Sequence, residues 1–502
     1  MEYIKKRRSD SSLDIKIKSV KFNFIMNAIL TMSSFIFPLI TFPYISRVLL
    51  VEGTGKVSFA TSVVSYFSMF SMLGISSYGV RSCARVRNNK EELTKMVHEL
   101  FIINSISTLI VYIIFIASLF VVDKFKDNSL LLVICSISMI LNVVGVNWFY
   151  SAIEQYSYIT IRSMIFKVIS IVLMFLFVKN TNDYVVYAGI TVFSGAGSNI
   201  LNFIYLRNFI SLKPLKSYNL KRHIKPMLTF FGISVATSIY TNLDNVMLGF
   251  MTDDTQVGLY STSIKIKSIL VSVITSLGAV LMPRLSYYIQ NNMIEDFNKM
   301  IGKTFNFVSL LAIPLALYCG IFSKEIILLI AGEEFLGAVL PMRFLMLTIV
   351  CIGYSYITAV QMLVPLGMET KSVISYSICA VIDFLLNLLL IKRFGASAAA
   401  FSTMITELCV VIIQSIFLRE YLHGILKKIS ILKLLISIIP ATIVSVILKY
   451  TLHLGVFVVL VITCIAFFGI YAILLLIQKE PLVIEFFDTL TNKLSKFLKL
   501  KT

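Results

Sequence analysis

Apolar runs of about twenty residues, separated by short polar or Gly/Pro-containing connectors, recur from one end of this 502-residue chain to the other. An α-helix rising about 1.5 Å per residue needs about that many residues to cross roughly 30 Å of hydrocarbon. Counting the runs predicts fourteen spans, at 22–46, 56–80, 97–122, 129–151, 159–178, 184–206, 224–250, 258–283, 304–323, 339–364, 372–391, 396–418, 431–448 and 454–478. The expected fold class is an all-α polytopic membrane protein. Its composition, 58% hydrophobic and 14% charged, does not suit a water-soluble globule.

Sliding the chain on itself by 203 residues places Gly55 on Gly258, Ser58 on Ser261 and Arg81 on Arg284. In both copies a helix leaves the membrane, turns at an acidic or Gly-rich loop, re-enters with small residues and stops at an Arg. The alternative is chance likeness between two apolar hairpins. Read as a repeat, six helices separate the copies, so the halves share one topology. Parallel repeats of this kind build transporters with a site at the repeat interface. The expected organisation is a basic N-terminus at 1–21, an N-lobe at 22–210, a linker at 211–223 and a C-lobe at 224–420. Two further helices at 421–480 and a basic tail at 481–502 complete it.

Charge orients this bundle. Lys and Arg concentrate in the N-terminus and in every second connector after it, which by the positive-inside rule puts both termini in the cytoplasm. The N-terminal segment is polar and basic for too long to be a secretory signal. The longest connectors, 81–95, 207–226 and 284–299, all fall on the cytoplasmic side, and the short outer loops leave no room for a catalytic domain. Seven cysteines (Cys83, Cys135, Cys319, Cys351, Cys379, Cys409 and Cys464) are scattered singly through apolar segments, the pattern of small core residues rather than of metal ligands. The histidines sit at span edges, and no Ser/His/Asp group, metalloprotease motif or ATP-binding loop is present. The expectation is a non-enzymatic protein without metal or cofactor, apart from a coupling ion, Na⁺ or H⁺.

Charged residues inside the spans are the candidate chemistry, because each is costly in hydrocarbon. The hairpin Phe230–Leu285 holds Asp244 in its first helix and Lys265 and Lys267 in its second. Ser261, Ser268, Ser272 and Ser276 share one helical face with Lys265, which lies about 10 Å in from Gly258. Lys265 and this serine stripe are the expected substrate contacts. Lys267, roughly 200° around the helix from Lys265 with apolar neighbours, pairs elsewhere or snorkels. Asp244 either balances Lys265 or binds and releases a coupling ion. Asp383 and Glu407 lie deep in later spans, and Lys167 is their N-terminal-half counterpart. Arg47 closes the first span as an interfacial anchor or a ligand contact. Arg81, Arg85 and Arg284 at the cytoplasmic helix ends either attract phosphate or anionic headgroups or merely satisfy the positive-inside rule.

Five stretches in order resemble the polysaccharide transporter family of Wzx-type flippases within the multidrug/oligosaccharidyl-lipid/polysaccharide (MOP) exporter superfamily. They are FPLITFPYISRVLLVEGTGKVSFATS, VGVNWFYSAIEQYSYIT with Trp148 and Glu154, and FGISVATSIYTNLDNVMLGF followed by VGLYSTSIKI. The last two are AVQMLVPLGMETKS with Gln361, and DFLLNLLLIKRFGASAAAFSTMITEL with Asn387, Gly395 and Glu407. The chain departs from the family at Asp383, where Asn is favoured. The resemblance implies two pseudo-symmetric six-helix lobes around a central cavity, plus two C-terminal helices, working by alternating access in the bacterial cytoplasmic membrane. The implied cargo is an undecaprenyl-pyrophosphate-linked oligosaccharide for a capsule or O-antigen-type polysaccharide. Membrane lipids and other polysaccharide-assembly proteins are the implied partners, and nucleic acid is not. Gln361 joins the implied substrate contacts and Glu154 the charge-balancing set. A multidrug or cation antiporter on the same fold, and a membrane polymerase or glycosyltransferase, are the rival readings. The intramembrane lysines would repel cationic cargo, and the short outer loops argue against the enzymes.

Overall fold

The computed structural model describes residues 18–422, 424–425, 430–485 and 487–488, so most of the expected basic N-terminus and tail lie outside the described residues. Ten helices among the described residues are long and apolar enough to cross a membrane. The helical runs Phe22–Val86 and Glu369–Phe417 each hold two expected spans, and Ser129–Gly145 and Lys221–Met251 hold one each, so every expected span is found as helix. All seven cysteines are free thiols. The chain divides into two compact units, Met1–Ser261 and Thr262–Thr502.

The first unit begins with α1 (Val20–Met72), which carries the first two spans on either side of a break at Leu50, φ 58° and ψ −171°. Ser19 caps its start through the Phe22 N–H. After left-handed residues at Leu73 and Gly74 come α2 (Ile75–Val86) and α3 (Lys90–Val121). Asn89 caps α3 by accepting from the Glu91 and Glu92 N–H groups, and those two acids sit where the helix dipole favours negative charge. There follow α4 (Asp123–Asp127), α5 (Ser129–Gly145), α6 (Asn147–Ala152), α7 (Tyr156–Phe177), α8 (Tyr184–Val192) and, beyond a π-helical turn, α9 (Asn199–Leu206). α10 (Lys221–Met251) and the start of α11 (Asp254–Gln290) complete the unit.

Aromatic packing closes the end of this unit that bears the basic connectors. Trp148, Phe149 and Tyr150 of α6 are buried with Ile75, Leu93 and Leu206, and Gly79 gives Trp148 its space, since a Cβ there would lie 2.7 Å from the indole. The same end clamps the connector that enters α10. The buried Glu99 carboxylate accepts from the Asn219 N–H at 2.7 Å and from the Arg222 guanidinium at 2.5 Å. His223 bonds Glu99 at 2.8 Å through Nε2 and the Tyr78 hydroxyl at 2.8 Å through Nδ1. Burial pushes the His223 imidazole below its ordinary range, so the ring is neutral at pH 7, with Nε2–H donating to Glu99 and Nδ1 accepting from Tyr78.

At the opposite end the two glycines equated by the 203-residue offset meet backbone to backbone. A Cβ on Gly55 would lie 1.7 Å from the Asp254 carbonyl oxygen, and one on Gly258 would lie 2.2 Å from the Val51 carbonyl oxygen. Phe59, Phe125 and Phe250 pack beside them, Gly249 is pressed against the Phe59 ring, and Lys124 pairs with Asp254 at 2.8 Å.

The second unit takes the rest of α11, then α12 (Ile294–Ile321), α13 (Ser323–Ile330), α14 (Val339–Tyr356) with a π-helical continuation at Ile357–Leu363, and α15 (Glu369–Phe417). Two expected spans lie in α15 on either side of Gly395, whose φ of 54° and ψ of −133° break the helix at a residue without a Cβ. The short α16 (Arg419–Leu422) precedes α17 (Ile431–Thr451) and α18 (Val456–Ile477). The last two helices are bonded into this unit. Tyr318 donates to the Leu460 carbonyl at 3.0 Å, Tyr471 to the Leu310 carbonyl at 2.9 Å, and Asn306 to the buried Glu480 at 2.8 Å.

The Gly55 contact is between backbones, so no side chain can yield to a larger residue. Gly55→Leu is expected to cost about 1–3 kcal/mol or more by overpacking. Gly469→Ala, where nothing lies within 4 Å of the added carbon, should be neutral or slightly stabilising. Melting temperatures of the detergent-purified variants check both.

Candidate transport site

Three serines of the expected stripe, Ser261, Ser268 and Ser272 on α11, turn their hydroxyls inward on their own helix. Ser268 donates to the Ile264 carbonyl, Ser272 to the Ile269 carbonyl and Ser261 to the Val257 carbonyl. Such back-bonding satisfies the O–H in an apolar setting and leaves the oxygen lone pairs to accept. Toward a ligand, then, this face offers acceptors from the serines and a cation from Lys265. Lys265 and Lys267 are both partly buried. The Ser276 side chain lies outside the described residues.

Asp244 on α10 is buried and accepts a short hydrogen bond from the Tyr260 hydroxyl on α11, so within the first unit a neutral phenol holds this carboxylate. Arg47 is exposed and donates to the Pro43 carbonyl one turn back.

The second unit gathers its polar residues between the two halves of α15. Asp383 is 4% exposed, and its carboxylate accepts from Thr406 at 3.1 Å and from the Asn387 amide at 3.2 Å. Glu407, also 4% exposed, follows Thr406, and Cys379 lies in the field of both carboxylates. One or two turns away, Gln414 donates to Ser375 and accepts from Thr358. Gln361 is buried in the π-helical continuation of α14, with its side-chain oxygen unbonded among the described residues. Carboxylate, amide and hydroxyl oxygens so arranged are hard ligands, suited to a proton or an alkali cation. Asn387 stands four residues from Asp383 and so was visible as a face partner. Thr406 arrives from beyond the Gly395 break, which no local spacing announces.

The remaining candidates lie at the basic end. Glu154, at φ 56°, pairs with Arg87 at 2.6 Å and accepts from Asn23 at 3.3 Å, an arrangement that ties the connector before α7 to α1 and to the end of α2. Arg81 and Arg85 are exposed on α2, and Arg284 is exposed with Nε donating to the Tyr288 hydroxyl at 2.7 Å.

One constellation escaped the sequence reading. Arg162 on α7 is 7% exposed, donates to Asn147 at 3.1 Å and has the Tyr158 ring 5.5 Å from its guanidinium carbon. Asn147 also accepts from Asn202 and donates to Asn199, which donates to Asn142. No carboxylate pairs with Arg162 among the described residues. A chain of amide dipoles spreads this charge across the break between α5 and α6. Lys167, one and a half turns further along α7, donates to Ser33 at 2.8 Å and Ser34 at 3.1 Å.

Helical spans of this number, broken at Leu50 and Gly395, with charged groups nested among amides and hydroxyls inside apolar helices, define a polytopic α-helical membrane protein. The structure is similar to that of the lipid II flippase MurJ in an inward closed conformation, with a TM-score of 0.70 at 17% identity over 91% of this chain and 100% of that one. It is also similar to an inward-facing MATE family multidrug transporter of the MOP superfamily, with a TM-score of 0.56 at 12% identity over 77% of this chain and 98% of that one. The chain belongs to the family described as polysaccharide biosynthesis protein, whose profile matches residues 20–289. It is 23% identical over 410 residues to a protein of Escherichia coli K12 named as an O-antigen transporter, covering 80% of this chain and 97% of that one. A low-salt glycan biosynthesis flippase of Haloferax volcanii, Agl15, matches at 23% over 210 residues, 40% of this chain and 43% of that one.

Asp383→Leu removes the acceptor of two buried donors and is expected to lower stability by about 1–3 kcal/mol for each group left unpaired. Asp383→Asn keeps an acceptor for Thr406 and should cost less. Thermal denaturation of both variants in detergent measures the difference.

Proposed function

We propose that this protein is a flippase that carries a lipid-linked oligosaccharide, built on undecaprenyl pyrophosphate, from the cytoplasmic to the outer leaflet of a bacterial plasma membrane for surface polysaccharide assembly. The observation that carries the reading is family membership through residues 20–289, joined to a relative named as an O-antigen transporter that is matched along 97% of its length. Both termini are cytoplasmic in this reading, as the basic connectors require. The cycle is alternating access, in which the protein shelters the pyrophosphate and sugars while the polyprenyl chain stays in lipid.

The residue chemistry supports such a cargo. A pyrophosphate calls for a cation, which Lys265 supplies from within a span. Sugar hydroxyls can donate to the back-bonded serines of α11. Lys267, Arg47 and Gln361 belong to the same proposed contact set, and Arg81, Arg85 and Arg284 form an electrostatic entry for the anionic headgroup at the cytoplasmic face. Asp383 with Asn387 and Thr406 is the proposed coupling site for Na⁺ or H⁺, with Glu407 and Asp244 as further titratable groups. These buried acids favour the second reading, a cation antiporter, and the intramembrane lysines oppose it.

In a strain whose own copy is deleted, Lys265→Ala should abolish surface polysaccharide while the protein remains at normal level in the membrane. Full display by that variant would remove Lys265 from the mechanism, and lost drug resistance with intact polysaccharide would favour the antiporter. For the coupling site, NaCl should raise the melting temperature of the purified wild type above that in equal KCl, and Asp383→Asn should abolish the difference. An equal response to both salts in the wild type would leave the proton as coupling ion, to be read from transport against pH.

A further inference from the structure

At the end of the second unit opposite the basic connectors, a cavity of about 430 Å³ opens between the last turns of α12, the first turns of α14 and the last turns of α17. Its walls are mainly apolar, with Ala316, Leu317, Leu347 and Val446 among them, and two cations, Arg343 and Lys449, line it. The two differ in how they are satisfied. Lys449 is held by Glu325 at 2.9 Å and by the Ile321 carbonyl at 3.2 Å, so its charge is matched. Arg343 donates only Nε, to Ser323 at 3.1 Å, and its two terminal nitrogens have no partner among the described residues. Arg343 is exposed, and with only Nε engaged its two terminal nitrogens are open to a ligand, an arrangement that can take a phosphate bidentately. Leu347 is 54% exposed and Tyr450 74%, so the cavity opens on the surface that faces lipid. An aromatic ring at that position is typical of the level of the headgroups. Gly320 also lines the cavity, and a Cβ on it would meet nothing within 4 Å.

We propose that this cavity is a site for an anionic glycerophospholipid of the adjacent leaflet, with its phosphate on Arg343 and the start of its acyl chains against the apolar wall. The occupant must be amphiphilic because the unmatched cation and the apolar wall belong to one cavity that opens to hydrocarbon. It must carry net negative charge because the neighbouring Lys449–Glu325 pair is already neutral and Arg343 is not. The site would make activity depend on membrane composition, and it does not rest on the identity of the transported cargo.

Native mass spectrometry of the full chain in detergent tests this, with phosphatidylglycerol, phosphatidylcholine and inorganic phosphate as probes. Wild type should retain phosphatidylglycerol about tenfold or more tightly than Arg343→Ala, with Arg343→Lys in between. Gly320→Phe fills the cavity with the guanidinium intact and should displace the lipid equally, which keeps the test decisive should Arg343→Ala fail to fold. Equal retention by wild type and Gly320→Phe, or no preference for phosphatidylglycerol over phosphatidylcholine, would overturn the site. Displacement of the lipid by millimolar inorganic phosphate would overturn the amphiphilic occupant.

Discussion

Hydrocarbon offers no hydrogen bonds, and the placement of nearly every polar atom in this protein follows from that. Backbone groups must be satisfied within their own segment, so the spans are helices. Hydroxyls turn back onto the preceding turn, as along the serine face of α11 and at Thr406's neighbour Thr403, which donates to the Ala399 carbonyl. Full ion pairs, such as Arg87 with Glu154, Lys124 with Asp254 and Lys449 with Glu325, stand near helix ends where water reaches. Deeper in, Asp244 accepts from a phenol, Asp383 accepts from an amide and a hydroxyl, and Arg162 donates to an amide beside an aromatic ring. Charges inside apolar spans need such polar neighbours because hydrocarbon cannot solvate them.

The meeting of Gly55 with Gly258 is the other constraint. Both positions therefore need glycine for one reason, the close approach of two helix backbones, and the phenylalanines beside them seal the contact.

How much of this was legible in the sequence depends on how local the cause is. The spans were, because twenty apolar residues and a basic bias are properties of single segments. The serine face was, because helical periodicity fixes which residues align, but periodicity says nothing of where a hydroxyl points, and these point at their own backbone. The glycine pair could be equated from the 203-residue offset, though not known to touch. Arg162 was missed because its meaning lies in Asn147, Asn199 and Asn202, which come from two helices some fifty residues apart and look unremarkable in turn. The clamp of Glu99 on Asn219, Arg222 and His223 was invisible for the same reason, joining positions more than a hundred residues apart. Asp383 stood out as an acid in an apolar run, and its partner Thr406 did not, because the break at Gly395 folds the second half of α15 back upon the first.

The proposed movement of a lipid-linked oligosaccharide between leaflets is measured most directly by reconstitution. Purified protein in liposomes carrying an undecaprenyl-pyrophosphate-linked oligosaccharide should make the sugar on the inner leaflet accessible to a membrane-impermeant glycosidase outside, faster than empty liposomes do. Accessibility no faster than in empty liposomes, from protein that is folded and correctly inserted, would contradict the account.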